Sequence, residues 1–130
     1  MKHLYETAKK TERVVCVGLS LKNENKEDAV DSLSELKLLA EAAGAIVIDT
    51  YMQVREDISP KYYIGKGLVD EISLYISEKK VDTVIFDNEL TASQVRNLEK
   101  IVDCKVIGRT ELILDIFALR AKTKIAKLQV

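Results

Sequence analysis

Apolar residues recur along this chain in two alternating patterns. Arg13-Val14-Val15-Cys16-Val17-Gly18-Leu19 is apolar at nearly every position, as expected of a strand buried on both faces in a parallel sheet. After a polar stretch, Val30, Leu33, Leu36, Ala40 and Ala43 return at three- and four-residue spacing. That spacing predicts one face of a helix, capped by Asn25 at its start and ended by Gly44. Ala45 to Met52 is the next strand, and Val54 to Pro60 a polar connection. Tyr62-Tyr63-Ile64 reads as a short extra strand, and Leu68, Ile72, Tyr75 and Ile76 mark a second helix.

Thr83-Val84-Ile85-Phe86 is a further buried strand. The helix after it is announced most clearly: Thr91 with Gln94 fits a capping box, and Leu90 with Val95 a hydrophobic staple. Val95, Leu98 and Val102 form its apolar face. Cys104-Lys105-Val106-Ile107 is the last strand, and Ile113, Ile116, Phe117, Ala121, Ile125 and Leu128 make one face of a final helix from Thr110. The order βαβ(β)αβαβα predicts an α/β fold: a small, mainly parallel sheet of about four main strands, helices on both faces, right-handed connections. No Gly, Asn or Pro stops the final helix after Gly108, so the natural polypeptide is expected to continue.

Composition narrows the class. The 130 residues are 47% hydrophobic and 32% charged, with one proline and five glycines, as in an ordinary single domain. No run approaches the roughly 20 apolar residues of a membrane span, and the start has no apolar signal core. Cys16 and Cys104 sit in apolar runs, read as two thiols of a reducing compartment rather than a disulfide. Net charge is −1, so no global basic field favours nucleic acid. The charge is polarised, however. Residues 20–44 hold Glu24, Glu27, Asp28, Asp31, Glu35 and Glu41, whereas Lys105, Arg109, Arg120, Lys122, Lys124 and Lys127 crowd the last part.

Ligands of open parallel sheets bind beyond the carboxyl ends of the strands. Here that rim holds Ser20 to Asn25, Gln53, Asp87-Asn88-Glu89 and Gly108-Arg109. The trio Asp87, Asn88 and Glu89 suits a hydrated magnesium ion or a hydrogen-bonding ligand, and equally a solvated loop before a helix cap. Ile64-Gly65-Lys66-Gly67 opens a helix where backbone N–H groups favour anions. It is not a P-loop, which would need Gly where Pro60 stands and Ser or Thr where Gly67 stands. Gly65, Lys66 and Gly67 stay open between a phosphate contact and a plain turn. Asn25-Lys26-Glu27-Asp28 matches a guanine-reading tetrapeptide but is explained by a capped acidic first turn.

Arg120, Lys122, Lys124 and Lys127 could meet phosphates, or could simply be cations along a helix. No catalytic set is visible: the only histidine is His3, and no Cys/His metal spacing exists. A receiver-like phospho-acceptor at Asp87 is set aside, because Leu19-Ser20 stands where an acidic pair would be needed.

Several segments together resemble one family. Tyr63-Ile64-Gly65-Lys66-Gly67 before Val69-Asp70-Glu71-Ile72 is similar to its Y-I-G-x-G helix opening. Val84-Ile85-Phe86-Asp87-Asn88-Glu89-Leu90-Thr91, with Gln94 and Arg96-Asn97-Leu98-Glu99, is similar to its central run. Arg109-Thr110, Leu112 to Ala118, Arg120-Ala121 and Lys127 to Val130 resemble its closing signature. The family is that of HflX, ribosome-associated GTPases, and the resemblance runs from about Arg13 onward to the N-terminal domain. One departure is Gly108, where many relatives carry Asp.

The resemblance implies an N-terminal extension over 1–12, an α/β domain over 13–109 and the start of a coiled-coil linker over 110–130, with the GTPase domain beyond. It implies a cytoplasmic protein bound to the large ribosomal subunit and its rRNA, splitting or rescuing ribosomes under control of GTP and magnesium held elsewhere. Lys66, Arg96, Arg120, Lys122, Lys124 and Lys127 would be the rRNA contacts in that setting. Gly65, Lys66, Gly67, Asp87, Asn88, Glu89 and Arg109 would serve a nucleotide or phosphate, ATP or GTP, since some members are said to bind purine nucleotides in this domain. The alternative is a regulatory purine-nucleotide domain without ribosome contact. With no P-loop, these residues should not hydrolyse GTP themselves.

Overall fold

The structure is a computed structural model and describes residues 11–128, with side chains at 120 and 123–128 outside the description. In chain order the elements are β1 (Arg13–Leu21), α1 (Lys26–Ala42), β2 (Ile46–Arg55), α2 (Lys66–Lys79), β3 (Thr83–Phe86), α3 (Ala92–Val102), β4 (Lys105–Ile107) and α4 (Arg109–Leu128). The strands form one sheet in the order β2-β1-β3-β4, and every pairing is parallel. The expected α/β fold is therefore the fold observed. Among the described residues no helix is long and apolar enough to cross a membrane.

Central position explains why β1 is apolar throughout: it is buried from Val14 through Ser20, between two strands and two helical layers. Val14 and Cys16 point to one face with Ile85 and Ile107, where Leu33, Leu36 and Ala40 of α1 and Leu112 and Ile116 of α4 pack. Val15 and Val17 point to the other with Val84, Phe86 and Val106, under Val69, Ile72 and Ile76 of α2 and Leu98 and Val102 of α3. Both helix starts with side-chain caps form as read. Asn25 accepts the Glu27 N–H at 2.9 Å, and Thr91 and Gln94 exchange both bonds of the capping box.

Several local expectations are corrected. Tyr62-Tyr63-Ile64 is not a strand; Ser59 and Tyr63 make an isolated antiparallel bridge around Pro60-Lys61-Tyr62. The chain reverses within that turn, with Tyr63 at φ 67°, so too few residues are extended to pair further. β2 runs on to Arg55 because β1 stays long enough to pair with it there. On α4 the buried residues are Leu112 and Ile116, whereas Phe117 is 60% exposed. Among the described residues α4 packs on α1 and the sheet through one side, and Phe117 lies on another. Likewise Val69 replaces Leu68 as a buried anchor of α2, and Val30 on α1 is exposed. The stripe positions Ile125 and Leu128 fall where side chains are not described.

Candidate functional site

The strand order reverses direction between β1 and β3: α1 carries the chain from β1 to one edge, and α3 carries it from β3 to the other. A crevice opens beyond the carboxyl ends of two such strands, where ligands of this architecture bind. Here it is a cleft of about 650 Å³, within the usual range for small-molecule sites. Leu19 and Leu21 of β1 and Ile58 give it apolar walls, and Tyr63 closes one side. Glu24, Asp28 and Asp87 supply three carboxylates, and among the described residues no lysine or arginine lines it.

The Tyr63 wall is held from α3. Gln94 uses its carboxamide oxygen in the capping box and donates through Nε2 to the Ser59 carbonyl at 3.1 Å. Asn97 donates to the Lys61 carbonyl at 3.1 Å, and the Tyr63 ring meets Phe86 edge-on at 6.2 Å. This double use explains why Gln94 is buried although polar. Local sequence had marked Gln94 only as a cap. Its contact with Ser59, 35 residues away, has no signal in the local pattern.

The field in the cleft is negative. Burial, then Glu24 and Asp87, push the Tyr63 hydroxyl up to about 12. Burial, then Asp87, push the thiol of Cys16, on the other face of the sheet, up to about 12 as well. Both groups therefore stay neutral near neutral pH, and Cys16 is no nucleophile. Both cysteines are free, as expected. Such a site repels a bare phosphate; it favours a cation, an N–H-rich edge, or a phosphate that arrives with a divalent ion.

The expected site residues divide into three groups. Asp87, Asn88, Glu89 and Arg109 come together, with Asp87 and Asn88 on the cleft wall. Arg109 donates to Asp87 at 2.6 Å and to the Ser32 hydroxyl at 3.2 Å, and it pairs with Glu35. Glu89 accepts the Thr110 N–H at 3.3 Å and the Thr110 hydroxyl, so it caps the start of α4. Among the described residues no His/Cys/Asp/Glu group has the arrangement to hold a metal ion, and two of the trio's three side chains already have protein partners.

Gly65, Lys66 and Gly67 lie apart from the cleft lining, at the start of α2 beside the end of β2. The Gly65 N–H is taken by the Gln53 carboxamide at 2.8 Å, and a side chain on Gly65 would collide with the Arg55 guanidinium. Lys66 pairs with Asp70 at 2.9 Å in solvent, a bond that raises its pKa. Arg96 on α3 and Lys122 on α4 are exposed on opposite faces of the sheet. Arg120, Lys124 and Lys127 lie outside the described side chains.

Known proteins now bear on the fold and the chain. The family model described as GTP-binding GTPase N-terminal matches residues 30–118. GTPase HflX of Lacrimispora saccharolytica is 45% identical over 130 residues, covering 100% of this chain and 30% of that protein. GTPase HflX of Flavobacterium psychrophilum is 44% identical over 92% of the chain and 29% of its own length. The Escherichia coli protein is 41% identical over 78% and 24%. The chain thus spans less than a third of these relatives. Among solved structures, SsGBP in complex with GDP superposes with a TM-score of 0.65 at 23% identity, over 92% of this chain and 32% of that one. A GTP-binding protein of Sulfolobus solfataricus with GDP gives 0.56 at 20% identity, over 84% and 31%; both likenesses speak for the fold alone. The chain belongs to the GTP-binding GTPase N-terminal family and corresponds to the N-terminal part of the HflX GTPases.

Proposed function

We propose that this domain is the ribosome-contacting front end of an HflX-like GTPase, acting in the cytoplasm on the large ribosomal subunit to split or rescue ribosomes. The observation that carries the reading is the 41–46% identity to HflX GTPases maintained over most or all of the chain. GTP and magnesium are handled by the part of the protein beyond this domain; these 130 residues carry no P-loop sequence. Contact with rRNA is electrostatic, through Lys66, Arg96 and the basic residues of α4, Arg120, Lys122, Lys124 and Lys127. Co-sedimentation with purified large subunits over a salt series tests this. Binding should weaken steeply with salt, and Lys66→Ala or Lys124→Glu should flatten that dependence. Binding that ignores salt and both substitutions would reject the assignment.

A second reading is favoured by the cleft between β1 and β3: a regulatory site for a purine nucleotide, ATP or GTP, without ribosome contact. Glu24 and Asp28 offer acceptors for the N–H groups of a base, while the phosphates need a divalent ion or must lie outside the cleft. Gly65, Lys66 and Gly67 are separate from the cleft lining, so their part in this reading is confined to an outlying phosphate. Calorimetric titration of ATP and GTP with and without magnesium decides it. Heat lost in Glu24→Gln and Asp28→Asn supports the site, and unchanged heat in both removes it.

A further inference from the structure

The two edges of this sheet are built differently. β4 is three residues long and begins with Lys105, two features that discourage strands from adding to an edge. β2 is the opposite edge and runs for ten residues, Ile-Val-Ile-Asp-Thr-Tyr-Met-Gln-Val-Arg, with no lysine or proline. Typical strands have about 5–6 residues. Ile46 and Val54 on it are 50% and 43% exposed.

The phase of its hydrogen bonds is set by β1. The register skips Ile48, because Val14 faces Val47 and Val15 faces Asp49. Beyond that irregularity the Arg55 carbonyl accepts the Lys22 N–H at 2.9 Å, so the backbone groups of Arg55 face inward. Alternation places those of Gln53, Tyr51 and Asp49 inward too, and leaves those of Thr50, Met52 and Val54 facing out.

We infer that β2 pairs antiparallel with β2 of a second copy of this chain about a two-fold axis through Met52. In that register Met52 faces Met52, and Thr50 faces Val54, as hydrogen-bonded pairs. Asp49 then stands directly opposite Arg55 of the second copy, at a non-hydrogen-bonded position with Cβ atoms about 5 Å apart. The two-fold makes this ion pair twice. Sliding by two residues either way sets Asp49 against Gln53 or Asp57 instead, so charge selects the register.

In the single chain these groups make local bonds. The Asp49 carboxylate accepts the Thr50 N–H at 2.8 Å, and Arg55 Nε donates to the Asp57 carbonyl at 2.9 Å. Pairing exchanges the first for a ladder bond from Thr50 to Val54 of the second copy, which frees Asp49 for Arg55. A contact confined to one strand of each copy associates weakly, so the dimer is concentration-dependent.

Sedimentation equilibrium of the 130-residue chain over a micromolar-to-millimolar series tests the inference. The chain should pass from monomer to dimer. Asp49→Arg alone and Arg55→Asp alone each set like charges opposite one another twice, and each should weaken dimerisation about tenfold. An equimolar mixture of the two variants restores both ion pairs and should dimerise like the unaltered chain. Val54→Pro removes an outward N–H without touching the bonds to β1, and should abolish the dimer while the circular dichroism spectrum is retained. A chain that stays monomeric throughout overturns the inference. So do single variants that dimerise normally, or a mixture that fails to recover.

Discussion

Asp87, the first residue after β3, and Arg109, the first residue of α4, close on each other at 2.6 Å across 22 positions of sequence. Asp87 is 7% exposed and Arg109 24%, so the pair is sheltered from solvent on one side and open on the other. Because Arg109 also holds Ser32 and Glu35, a single guanidinium ties the central strands, α1 and α4 together. Replacing Arg109 by Met should cost about 2 kcal/mol, since a nearly buried carboxylate loses its charged partner. Urea denaturation of Arg109→Met, Asp87→Asn and the double variant checks this. The double variant should cost less than the sum of the singles; strict additivity would mean the pair is not coupled.

Two glycines should respond oppositely to alanine. A Cβ on Gly108 would stand 2.9 Å from the Asn88 carbonyl oxygen, so Gly108→Ala must push the Asp87–Glu89 loop away, at a cost of about 1–3 kcal/mol. A Cβ on Gly67 meets nothing within 4 Å inside α2. Gly67→Ala should therefore stabilise the chain by about 0.5–1 kcal/mol. Thermal melts of the two variants, compared with the parent, should shift in opposite directions.

The capping box gives a third expectation. Thr91→Ala removes the acceptor for the Gln94 N–H and should cost about 1 kcal/mol. Gln94→Ala should cost more, because Nε2 also anchors the Ser59 carbonyl and with it the Tyr63 wall. Amide exchange should then rise around Ser59 to Tyr63 in Gln94→Ala but not in Thr91→Ala. Equal exchange in both would separate Gln94 from that wall.

Alkaline pH should destabilise the fold before it changes secondary structure locally. Burial raises the Cys16 thiol from 9.0 to about 12, and the Cys104 thiol to about 11. The folded state thus keeps protons that the unfolded state releases. The resulting stability is complete below about pH 9 and is lost as pH rises towards 12. Denaturant midpoints measured from pH 7 upward should fall in that window, and the fall should shrink in Cys16→Ala. Under native conditions Cys104, half-buried, should be alkylated before Cys16, which is fully buried.

Much of the fold was legible because its signals are local. β1 and β3 are apolar without alternation since both are interior strands, and Thr91 with Gln94 can mark a helix start with no help from distant residues. Where burial depends on what covers an element, local pattern misled. Phe117 and Ile116 are adjacent and both apolar, yet only Ile116 faces α1 and the sheet. β2 starts as apolar as β1, with Ile46, Val47 and Ile48, yet none of these is fully buried, because its place at the edge follows from strand order.

The candidate site divides along the same line. Sequence alone determined the α/β class, the rim on which Asp87, Asn88, Glu89 and Arg109 stand, and membership in the HflX lineage through motifs of contiguous residues. Only the tertiary structure decided that Asp87 belongs to Arg109 and Glu89 to Thr110, and that Gly65-Lys66-Gly67 sits apart from the cleft. It also brought Glu24, Asp28, Tyr63 and Asp87 around one space. The reason is physical. Periodicity and caps are set by bonds between near neighbours, whereas a cleft and its charge come from elements that chain reversal brings together, and no window of sequence contains both sides of such a contact.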